Sequence, residues 1–142
     1  MQVPANFNGT VLIYSHGYRP NVDVIPGIPG YGGYKVTNTP ETAPGQGSRD
    51  LTVTNYLLSK GYALAGSGFA RQGWNADSAL ATNKELINTF KTKFPTTNKV
   101  MAWGQSLGGI ITQLMQEKYP DLVIVAAPLC VADNINAELK MA

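Results

Sequence analysis

Lys99-Val-Met-Ala-Trp-Gly104-Gln-Ser106-Leu-Gly108-Gly109-Ile-Ile111 is the stretch on which the reading of this 142-residue chain turns. Val100 to Trp103 is an apolar run of strand length, and the residues from Ile110 onward repeat at helical spacing. Between them, Gly104-Gln105-Ser106-Leu107-Gly108 makes a Gly-x-Ser-x-Gly turn. Strand, tight turn and helix in that order are the layout of a nucleophile elbow, where a serine is held in a strained conformation with its hydroxyl exposed. Gly104 and Gly108 remove the Cβ atoms that would clash as the turn closes, and Gly109 lets the helix lie tight against the strands. A helix starting at Ser106 aims its free N–H groups and positive dipole end at any oxyanion formed there. The pentapeptide alone would arise by chance in roughly one chain in twenty of this length. The weight therefore rests on the strand before it and the amphipathic helix after it.

Upstream, Thr10 to Ser15 is a β-rich apolar run that reads as a buried strand, and it ends in His16-Gly17-Tyr18-Arg19-Pro20. A His-Gly step at the carboxyl end of a strand can supply the other half of an oxyanion hole, because the glycine lets the chain turn back. The N–H groups assigned to that hole are those of Tyr18 and Leu107. For His16 itself, local packing is favoured over catalysis, since the oxyanion turn is not where a general base belongs.

Residues 19–48 are rich in Pro and Gly, with Tyr31 and Tyr34 between the turn signals, and carry no hydrophobic period. So long a loop is either a substrate-facing wall or lid, or a surface excursion. Ser48 or Asp50 can then cap a helix to about Ser59 with Leu51, Leu57 and Leu58 inward, closed by Lys60-Gly61. Tyr62 to Ala65 is a short buried strand. Gly66-Ser-Gly68 opens like a dinucleotide fingerprint, but Arg71 stands where the third glycine belongs, which with the lack of a phosphate loop argues against a nucleotide.

Asn75 or Asp77 can cap a longer helix to Phe94, with Ala79, Leu80, Leu86, Ile87, Phe90 and Phe94 as core and Asn83 as the exception. After the elbow, Ile110, Ile111, Leu114 and Met115 form the inner stripe of a third helix that ends at Tyr119-Pro120. Leu122 to Ala127 reads as another buried strand, and Val131 to Ala142 begins a further helix or a cap. The predicted order is β-α-β-α-β-α-β. Apolar strands alternating with amphipathic helices imply a mostly parallel sheet covered on both faces, with ligands at the carboxyl ends of its strands.

Charged residues make up 14% of the chain, below the roughly 25% usual in soluble proteins. A scattered net charge of +2 points away from nucleic acid, and no apolar run approaches the ~20 residues of a membrane span. One cysteine, Cys130, and one histidine, His16, leave no basis for an internal disulfide or a metal cluster, and no cofactor is expected. Cys130 is expected to be a small buried hydrophobe. Arg71 and Trp74 are expected to form a structural salt bridge and a packed indole.

Four pieces in order, Tyr14-Ser-His-Gly17, Lys60-Gly-Tyr-Ala-Leu-Ala65 with Gly73-Trp74, Trp103 to Gly109, and Ala127-Pro-Leu-Cys130, resemble the α/β-hydrolase family. More specifically, they resemble its secreted-type bacterial esterases and prolyl-oligopeptidase-like serine hydrolases. The resemblance implies a three-layer α/β sandwich, present here as a single partial domain over 1–142 that lacks the last strands. It also implies a Ser-His-Asp hydrolase acting through an acyl-enzyme, with Ser106 as nucleophile and the Tyr18 and Leu107 N–H groups as oxyanion donors. His16, Gly17, Gly104, Gln105 and Gly108 support the motif.

In that family the acid and the histidine follow later strands, whereas no histidine follows Ser106 here. Asp133 is the one acid standing where a triad member could sit. The expectation is an amino-terminal part of a small-ester or peptide hydrolase, catalytically incomplete by itself. A non-catalytic binding module of the same fold is the alternative. A truncated sheet would expose an edge strand, a candidate site of self-association. Low charge with abundant Asn, Thr and Gly leans towards an extracellular or periplasmic parent protein, the cytoplasm remaining open.

Overall fold

The computed structural model describes residues 1–27 and 32–131. Asp133 and most of the segment expected to begin a final helix or cap lie outside the described residues, as do Pro29, Gly30 and Tyr31 of the long loop. The elements are β1 (Thr10–Ser15), α1 (Thr52–Ser59), β2 (Ala63–Gly66), α2 (Ala76–Lys93), β3 (Lys99–Gln105), α3 (Leu107–Lys118) and β4 (Val125–Leu129), with a 3-10 turn at Gln46–Ser48. The strand order is β2-β1-β3-β4, and every pairing is parallel. This is an open α/β arrangement, in the alternating order that the apolar runs predicted.

Pleating explains the core. Val11 lies beside Ala63 and Val100, and Ile13 beside Ala65 and Ala102, so alternate residues of three strands make one apolar face. Leu80, Ile87 and Phe90 of α2 and Leu107, Ile111 and Met115 of α3 cover it in a single buried cluster. The β1-to-β2 step runs along the sheet in the opposite direction to the next two crossovers. Right-handed crossover therefore puts α1 on the other face. There Tyr14 and Trp103, paired in register, have ring centres 5.1 Å apart.

Several expectations need correction. The last strand is not buried: it starts at Val125 rather than Leu122, has β3 as its single strand neighbour among the described residues, and leaves Ile124, Val125 and Leu129 exposed. An apolar run has the same composition whether its strand has one neighbour or two. The opposite edge differs, because Gln2 and Leu64 exchange backbone hydrogen bonds (2.7 and 2.9 Å) and blunt β2. Cys130, following the edge strand with φ 48°, is exposed.

Leu51 is 47% exposed, because α1 begins only at Thr52 and the Leu51 backbone is not helical. Asp50 accepts the Thr52 N–H (3.0 Å), whereas Ser48 turns back to the Gly45 carbonyl. Asn83, excluded from the core by its polarity, is fully buried. Its Nδ2 donates to Ser15 Oγ (2.9 Å), which offsets part of the cost of burying the amide and braces the end of β1, while its Oδ1 has no partner among the described residues.

Candidate functional site

The chain leaves β1 towards one side of the sheet and β3 towards the other. A crevice forms at the carboxyl ends of adjacent strands whose connections diverge in this way. Both halves of the sequence-derived site end here, because Ser15 is registered beside Gly104.

Ser106 is the single residue between β3 and α3, with φ 55° and ψ −126°. Only glycine adopts such angles without strain, so a serine there costs about 1–3 kcal/mol. The conformation is held from both sides: the Ser106 N–H donates to the Leu129 carbonyl (3.0 Å), and the Ser106 carbonyl accepts the Gly109 N–H (2.9 Å). The flanking glycines are required by backbone approach. A Cβ on Gly104 would lie 2.5 Å from the Gly108 oxygen and 2.6 Å from the Ser15 oxygen. One on Gly108 would overlap the Ser15 carbonyl oxygen. Gln105 is exposed beside them. Ser106→Gly should therefore raise stability by about 1 kcal/mol net of glycine's greater unfolded-state entropy, read as a higher urea midpoint. An unchanged or lower midpoint would mean that the serine is not strained.

The His16-Gly17-Tyr18 turn lies against this elbow. A Cβ on Gly17 would be 3.5 Å from the Gln105 carbonyl and 3.7 Å from the Ser106 Cβ. Among the described residues, neither the Tyr18 N–H nor the Leu107 N–H donates to a carbonyl, so both remain free for an incoming acceptor. His16 does not reach the Ser106 hydroxyl. Its Nδ1 donates to the Gly17 carbonyl (2.7 Å), and its ring lies on Phe69 with centres 4.2 Å apart.

The other ring nitrogen, Nε2, is buried and makes no hydrogen bond among the described residues. Burial holds the imidazole below its ordinary 6.5, partly opposed by the backbone carbonyls of Gly17 and Gly68. A histidine depressed in the folded state binds its proton first in the unfolded chain. The resulting stability is fully present above about pH 6.5 and drains away as pH falls towards the folded value. Thermal unfolding between pH 7 and 5 should show a loss of up to about 1.4 kcal/mol per pH unit that His16→Gln flattens. An equal slope in the variant would remove His16 as the cause.

The long loop returns across the end of β2. Cβ atoms on Gly66 and Gly68 would collide with the carbonyl oxygens of Glu41 and Asn38. This crossing, and not a phosphate, is what these two glycines serve. Arg19 fixes the crossing segment by donating to the Thr39 carbonyl (2.7 Å) and pairing with Glu41 (2.8 Å). Burial and the Glu41 carboxylate, against the opposing Arg19 charge, push the neighbouring Tyr14 phenol up to about 12.

Trp74 is not a packed indole. It is 60% exposed and faces Tyr18, itself 45% exposed, with ring centres 5.3 Å apart. Arg71 does form a salt bridge, with Asp77 at 3.5 Å, but both are solvent-exposed, and such pairs contribute little. Neither candidate cap of α2 acts as one: Asp77 faces Arg71, and Asn75 donates its amide to the carbonyls of Arg71 (2.8 Å) and Gln72 (2.5 Å). The Arg19–Glu41 pair and the Asn83 brace were missed because they join residues far apart in sequence. An asparagine four residues from both Ala79 and Ile87 was the one local signal for Asn83.

Among the described residues no group of three metal-ligating side chains occurs, and no helix is long and apolar enough to cross a membrane. What the fold and site define is an open parallel α/β sheet with a strained strand–serine–helix turn at its carboxyl edge. Neither a protein-family model nor a curated protein matches the chain.

Proposed function

We propose that this chain is a serine hydrolase of the α/β-hydrolase kind that cleaves an ester or amide bond through an acyl-enzyme on Ser106. The backbone of Ser106 is the observation that supports this best. Strain at a residue whose side chain is a nucleophile, near two N–H groups that donate to no carbonyl among the described residues, is hard to account for by packing. In this reading Ser106 Oγ adds to the carbonyl carbon, and the Tyr18 and Leu107 N–H groups hold the oxyanion. Expulsion of the alcohol or amine leaves the acyl group on Ser106 for water to remove. Each such donor is worth roughly 3 kcal/mol, because the charge it meets exists only in the transition state.

The Ser106 proton needs a base. His16 is occupied by Gly17 and Phe69, so in this reading the base comes from outside the described residues. The same engagement of the single histidine favours a second reading, a non-catalytic binding module with this sheet and crevice. The low charge supports an extracellular or periplasmic setting, and the edge of β4, unpaired among the described residues, is the surface for any self-association.

Labelling with a fluorophosphonate probe, read by mass spectrometry, separates the two readings. The expected result is a label on Ser106 that disappears entirely in Ser106→Ala. No label on a folded sample would leave the binding module.

A further inference from the structure

Beside the oxyanion turn lies an open cleft of about 480 Å³, lined by Asn21, Val36, Asn38, Arg71, Gln72 and Trp74 among others. Neighbouring residues link its wall to the serine turn. A Cβ on Gly17 would stand 3.7 Å from the Ser106 Cβ, Tyr18 follows Gly17, and the Tyr18 ring lies on Trp74, which lines the cleft. The Gly73 N–H donates to the Arg19 carbonyl (2.9 Å), so the Trp74 loop is tied to the turn that would hold the oxyanion.

The lining has a specific chemistry. Trp74 supplies a broad apolar face left open to solvent. Asn21, Asn38 and Gln72 line the same cleft with neutral amides, of which Gln72 keeps its oxygen as an acceptor and Asn38 its nitrogen as a donor. Gln72 Nε2 donates to Asn38 Oδ1 (2.8 Å) and to the Gly68 carbonyl (2.7 Å), which orients the Asn38 amide and leaves its Nδ2 for a ligand. The one charged group in this set, Arg71, faces Asp77, so an anion gains little. A flat C–H face for the indole and a rim of hydroxyls for the amides belong together in a pyranose ring.

We propose that this cleft is a subsite for a neutral sugar ring. Resting on the hydrolase reading above, it makes the substrate an ester carried on a carbohydrate. The sugar would hold the acyl carbonyl at Ser106 through the Tyr18–Trp74 pair, and binding energy remote from the reacting bond would orient that bond.

Isothermal titration of the chain with xylotetraose and with cellotetraose tests the subsite independently of catalysis. The expected result is saturable binding of at least one, weakened about tenfold or more by Trp74→Ala and less by Trp74→Phe. Trp74 is exposed, so unchanged far-ultraviolet dichroism should show that both variants fold. No binding of either sugar, or equal affinity in Trp74→Ala, would overturn the proposal. Binding of phenol in a Trp74-dependent manner with no sugar binding would also overturn it, making the cleft an aryl subsite. Fluorophosphonate labelling without sugar binding leaves the hydrolase and removes the subsite. Sugar binding without labelling does the reverse.

Discussion

Gly108→Ala is expected to destabilise the chain by more than about 4 kcal/mol, enough to unfold many domains of this size. The added Cβ would overlap the Ser15 carbonyl oxygen and stand 2.7 Å from that of His16. Neither obstacle can swing aside as a side chain would. Ser15 belongs to β1, is registered beside Gly104, and is braced by Asn83. Relief would require α3 to withdraw from the sheet, taking Leu107, Ile111 and Met115 out of the core. Gly109→Ala is the informative control. Its Cβ would meet the Leu129 oxygen and Val131 Cγ2 at 3.0 Å, a fit that a small shift restores, so a cost of about 1 kcal/mol is expected. Urea unfolding followed by far-ultraviolet dichroism gives both values. Equal midpoints for the two variants would mean that α3 does not approach β1 as described.

Phe90→Ala should cost about 3–5 kcal/mol by the cavity it leaves. Phe90 is fully buried in α2, with the Phe94 ring at 4.7 Å and the Phe7 ring edge-on at 6.2 Å between centres. It joins the amino-terminal segment to the helical layer, so neither neighbour can refill the space without leaving its own position. Phe90→Leu keeps most of the volume and should cost less than about 1.5 kcal/mol. Thermal unfolding checks the pair. A Phe90→Ala loss below about 1 kcal/mol would show that the site collapses freely and that Phe7 does not depend on it.

Local patterns identified what depends on neighbours in sequence. Thr10–Ser15 was legible as a strand because the β-favouring Thr10, Val11, Ile13 and Tyr14 run with Leu12 uninterrupted into a turn. Val100–Trp103 and the Ile111–Met115 spacing announced β3 and α3 in the same way. What was missed depends on partners distant in the chain. Gly66 and Gly68 look like a phosphate motif until the Asn38–Glu41 crossing is seen. Trp74 has the composition of a core residue, yet its partner is the exposed Tyr18. Asn83 is polar by type and buried because Ser15, sixty-eight residues earlier, offers it an oxygen. The serine turn was legible because one residue sequence encodes strand end, turn and helix start together. The amide-lined cleft was not, since its walls come from separate loops.

The hydrogen bond from the Ser106 N–H to the Leu129 carbonyl gives the sheet edge a say in the geometry of the serine. Leu129 is the last residue of β4, whose outer side is unpaired among the described residues, so whatever joins or displaces that strand moves the acceptor on which the Ser106 backbone depends. Linkage makes this two-way: a ligand that prefers one setting of Ser106 must equally alter how readily the edge accepts a neighbour. The outermost strand and the reactive turn thus share one equilibrium.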